Sequence, residues 1–117
     1  MPTPYADQLH AVKQQYPFTR WRKYWQQPDE QEDCNRIEQA YDQLIDRLIE
    51  LGPEAPAAQK IECFEQAIAI TNDHADVIET GEREDLCELT NAVTQACGLN
   101  FADYGDGEGL ASEWREW

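Results

Sequence analysis

Apolar and polar residues follow a helical period along almost the whole chain. Between Asp29 and Leu51 the apolar positions Cys34, Ile37, Tyr41, Leu44, Ile45, Leu48 and Leu51 recur at steps of three and four, which winds them onto one face. Asp29 with Glu32 three residues on forms a capping-box pattern behind Pro28, and Gly52 and Pro53 provide a left-handed exit and a block to continuation. A long central helix over 29–51 is therefore predicted. Upstream, Tyr5, Leu9, Val12 and Tyr16 predict a first helix over 5–16, ended by Pro17, and Thr19 can cap a short helix carrying Trp21, Tyr24 and Trp25.

Downstream, Ile61, Phe64 and Ile68, with Cys63, Ala67 and Ile70 beside them, give a wide apolar face over 56–71, which Asn72 and Asp73 stop. A brief turn capped by Asp73 follows. A fourth long helix over 82–97 has Leu86, Leu89, Val93 and Ala96 as its core line, acids in its first turn, and Gly98 as its exit. The tail is punctuated by glycines and ends in a turn that Ser112 can cap, with Leu110, Trp114 and Trp117 on one side. Two tryptophans so close together imply that the tail docks on the domain. There is no β-type alternation and no internal repeat. The expected fold is one all-α domain over 1–117: a bundle of four main helices with a short aromatic helix after the first and a docked C-terminal helical turn.

Composition then narrows function. The 117 residues carry a net charge of −15, distributed as +3 over residues 1–27 and −18 beyond. Such a surface repels phosphate backbones, which argues against nucleic-acid binding; the aromatics among Arg20, Arg22 and Lys23 are better read as core residues beside cations that neutralise nearby acids. No apolar leader opens the chain and no run reaches membrane-spanning length, so a soluble, cytoplasmic protein is expected. Cys34, Cys63, Cys87 and Cys97 form no C-x-x-C pair and adjoin helical stripes, the pattern of reduced, mostly buried thiols.

Catalytic and metal chemistry find little footing. Asp103, Asp106 and Glu108 invite a calcium loop, but counting from Asp103 puts Gly105 and Gly107 where ligands belong. His74, between Asp73 and Asp76, has no second histidine nearby. Ser112 is the only serine and reads as a cap. No catalytic residue, metal or cofactor is expected.

One feature remains. Glu38, Asp42, Asp46 and Glu50 repeat every four residues on the central helix, about 140° from the middle of its core stripe. Each like-charge step costs an isolated helix about 0.2–0.5 kcal/mol. Ile49 projects among these acids. The ladder reads either as a solvated face or as a partner surface, with acids that steer a basic protein inward and Ile49 or Tyr41 as anchoring area. In the second case, reversing Asp42 and Asp46 to lysine should cost binding and not folding. In size, helix pattern and this ladder the chain resembles the small acidic helical immunity proteins of bacteria, which neutralise a toxic nuclease by covering it with carboxylates. The resemblance implies a non-catalytic, stoichiometric inhibitor of a basic toxin or nuclease, with Glu38, Asp42, Asp46, Ile49 and Glu50 as its partner-binding residues. Two other readings stay open: a helical adaptor or structural subunit whose acidity serves solubility, and a small metal-dependent enzyme using His74.

Overall fold

The computed structural model describes residues 4–117, so the part of the leader reading that rests on residues 1–3 lies outside it. Six α-helices are present among these residues: α1 (Pro4–Val12), α2 (Phe18–Tyr24), α3 (Pro28–Leu51), α4 (Ala57–Asn72), α5 (Thr80–Ala96) and α6 (Ala111–Trp114). No described residue lies in a strand. The all-α bundle with four main helices is thus the observed fold, α2 being the short aromatic helix and α6 the docked turn.

Helix α3 is the axis of the core. Its Ile37, Tyr41, Ile45 and Leu48 are wholly buried. Along one side lies α4, burying Phe64 and Ile68; α1 and α2 cover the other with Leu9, Phe18 and Trp21. Helix α5 closes against α1 with Leu86, Leu89 and Val93. Leu110, Ala111 and Trp117 belong to this same cluster, and Trp114 packs against it. Asn72 holds the tail in place, donating to the Trp114 carbonyl at 3.1 Å and accepting from the Glu116 amide at 3.0 Å. Gly109 is required where the tail meets α5: its φ is +117°, and a Cβ there would stand 2.0 Å from Asn91 Oδ1.

The helix starts differ from expectation. Helix α3 begins at Pro28, with Gln27 as its cap and the Glu30 carboxylate accepting from the Gln27 amide at 3.2 Å. Proline lacks the amide that a first helical residue leaves unused and presets φ, so it moves the start ahead of Asp29. Glu32 instead accepts from Arg36 Nε at 2.9 Å. Helix α5 likewise starts early, capped by Glu79 with Glu82 reaching back to its amide at 3.0 Å, and it takes in Gly81. Thr19 lies inside α2, whose cap is Pro17; Asp73 closes α4 rather than opening the next turn; Ser112 lies within α6 and donates to Glu108. Two residues placed on buried lines are exposed, Tyr24 at 51% and Leu51 at 36%.

All four cysteines are free thiols, three buried and Cys87 partly exposed. Burial pushes each of them above the ordinary thiol value.

Candidate partner-binding face

A residue four places along an α-helix is displaced by about 40° around the axis, so three such steps wind by roughly 120°. The acidic ladder of α3 therefore does not run straight. It starts on the flank facing α1 and α2 and finishes on the flank facing α4. Its two ends meet different neighbours, with Asp46 between them still adding to the negative field at Tyr16, and this divides the five residues that the sequence brought together.

The first half is engaged within the molecule. Glu38 accepts from Arg22 Nη2 at 2.5 Å, and the same guanidinium nitrogen donates to Asn35 at 2.8 Å. Asp42 accepts from the Tyr16 hydroxyl at 2.9 Å and lies 3.6 Å from Lys13 Nζ. Burial and that bond to Asp42 hold the Tyr16 hydroxyl protonated well above the ordinary tyrosine range. Glu38 and Asp42 thus fasten the basic N-terminal segment to α3. Reversing Asp42 would break two contacts, so the expectation that its reversal spares the fold is corrected.

The second half is open. Asp46 and Glu50 are exposed, and among the described residues no cation lies within ion-pairing reach of either. Ile49 is half-buried and packs against the core, so part of its area is already covered. Tyr41 offers no anchor at all: it is wholly buried, and its hydroxyl lies 2.8 Å from Thr90 Oγ1.

Beside Glu50 lies a shallow groove of about 470 Å³. Arg47, Glu50 and Leu51 of α3 form one wall; Gln59, Glu62, Cys63 and Gln66 of α4 form the other and the floor. The Cys63 thiol donates to the Gln59 carbonyl at 3.5 Å, leaving its sulfur as an apolar contact. Pattern reading put Leu51 in the core and missed the groove, because a single helix's stripe does not reveal where its neighbour ends.

Other candidate chemistry is occupied by structural contacts. His74 Nδ1 lies 2.8 Å from Asp33 Oδ1, tying the turn after α4 to α3. Trp21 Nε1 donates to Asp85 at 3.0 Å beside the Arg20–Asp85 ion pair, and Tyr24 donates to Glu82 at 3.0 Å. Trp21 and Trp25 are buried, so α2 presents no stacking platform from those rings. In the tail hollow, Glu113 accepts from the Gly105 amide at 2.7 Å, and the acids there order the turn. Among the described residues no three His, Cys, Asp or Glu side chains converge as a metal site, and no helix is long and apolar enough to cross a membrane. Compared with protein-family models, curated proteins and solved structures, the chain finds no match in any of the three.

Proposed function

We propose that the chain is a non-catalytic, stoichiometric inhibitor that binds a basic partner protein, as an immunity protein binds its toxin, through the open end of the α3 acidic ladder. The observation that carries this reading is the contrast within one helix. Glu38 and Asp42 are ion-paired with Arg22 and Lys13, whereas among the described residues neither Asp46 nor Glu50 makes an ion pair, and Glu50 lines a groove. A net charge of −15 extends the attraction beyond contact range and favours fast association with a cationic protein. Four free thiols are in keeping with action in the cytoplasm.

The test uses the full chain as bait in an extract of its native cell, alongside the Asp46→Lys/Glu50→Lys variant. The expected result is one basic protein retained at one-to-one stoichiometry, with its activity abolished, its association at least tenfold slower with the variant, and its affinity falling as salt rises. A partner held equally by both chains would refute the assignment of the site. A partner whose activity continues in the complex would refute inhibition.

A further inference from the structure

We propose that the groove between the end of α3 and the first half of α4 seats an apolar side chain carried on a cationic segment of the partner, such as a lysine- or arginine-rich amphipathic helix. This rests on the reading of Asp46 and Glu50 given above and names the ligand chemistry at that end of the face. Leu51 is one of two large apolar side chains exposed among the described residues, and it lines a concavity. The other, Tyr24, already donates its hydroxyl to Glu82. Cys63 of α4 lines the same groove, and its thiol hydrogen is already placed, so it demands no polar ligand atom.

The rim decides what surrounds the apolar tip. Glu50 of α3 and Glu62 of α4 both line the groove, one carboxylate from each helix. Asp46, one turn before Glu50, and Glu54, shortly past Leu51, are both exposed and extend the same sign of charge. Arg47 is the single cation in the lining. A groove that offers Leu51 and Cys63 as apolar contacts, with a carboxylate from each helix beside them, complements a segment whose apolar side chain has cations beside it. A second copy of this chain does not fit, because the dimer would set acid against acid between two bodies of charge −15.

The probes are two synthetic peptides of equal charge, a helical leucine–lysine peptide and its counterpart with every leucine replaced by serine. Each is titrated into the isotopically labelled full chain, with amide shifts and affinity recorded. The leucine peptide should bind about tenfold more tightly, with the largest shifts at Leu51, Cys63 and Gln66. Leu51→Ser should reduce its affinity to that of the serine peptide. Gln66→Lys, on the exposed side of α4, should weaken it without touching the core, and Arg47→Gln should strengthen it. Equal binding of both peptides, lost together in Asp46→Lys/Glu50→Lys, would overturn the groove inference and leave the acidic face standing. Failure of both to bind, or shifts mapping elsewhere, would overturn both.

Discussion

Lys60 lies 5% exposed at the corner where α4, the α3–α4 connection and the end of α5 meet. Its ammonium donates to the Pro53 carbonyl at 2.9 Å and the Cys97 carbonyl at 2.7 Å, and stands 5.4 Å from the centre of the Tyr5 ring. The Cys97 carbonyl belongs to the negative end of α5, where a helix leaves acceptors without donors, so the buried cation serves as a cap reached from a neighbouring helix. Tyr5 completes the corner by donating to the Leu48 carbonyl at 3.0 Å. Replacing Lys60 by methionine keeps most of the stem's volume and removes the donor. The expected loss is roughly 1–3 kcal/mol in urea unfolding, from two carbonyls left without their partner. An unchanged midpoint would mean that water takes the place of the ammonium. A similar accounting fixes a proton nearby: Thr90 Oγ1 gives its only hydrogen to the Leu86 carbonyl at 2.7 Å, so Tyr41 must be the donor in the buried Tyr41–Thr90 pair.

Among the elements, the tail contributes more than its length suggests. Trp117 is 9% exposed within the main core cluster. Trp117→Ala is expected to cost about 3 kcal/mol, visible as a clear drop in melting temperature, and a truncation removing Glu113 to Trp117 should lose at least as much. A melting temperature that did not move would show the indole to be free in solution. The docking was legible because tryptophan carries too much apolar area to leave in water, and α3 was legible because seven apolar positions share its period. The helix starts were less so: a proline at the first position outranks an acid one residue later, and Glu79 had no apolar pattern to mark it. Lys60 was readable in hindsight, four residues before Phe64 on the buried line of α4, yet a lysine there reads as solvated until the carbonyls that receive it are known. The ladder was seen as one face since each step looks the same in sequence. The 40° displacement per step becomes visible only when neighbours occupy the two flanks.

For the whole molecule, the most general consequence concerns alkaline pH. Tyr5 is raised from 10.0 to about 12, mainly by burial, and Tyr16 and Tyr41 are raised by burial too. All four thiols lie above their ordinary 9.0 for the same leading cause. In each case the unfolded chain releases the proton at a lower pH than the folded one. Stability from these groups is therefore complete below about pH 9, declines as the unfolded thiols ionise, and falls faster once the unfolded tyrosines ionise near pH 10. Melting temperature measured from pH 7 upward should be level and then drop, with tyrosinate absorbance appearing together with unfolding. Ionisation of more than two of the five tyrosines at pH 10 in a chain still folded would contradict the burial of these three hydroxyls.

The winding of the α3 acids also bears on how such a protein changes over generations. Asp42 and Glu50 lie about 12 Å apart along the helix axis, far enough for substitutions at the two to act independently. Asp42 answers to the molecule's own tyrosine and lysine; Glu50 is exposed, and in the function proposed above it answers to the partner. Under that proposal a lineage can exchange carboxylates in the last turns and acquire a new counterpart while the first turns hold the fold. The helix would diverge at one end and stay constant at the other.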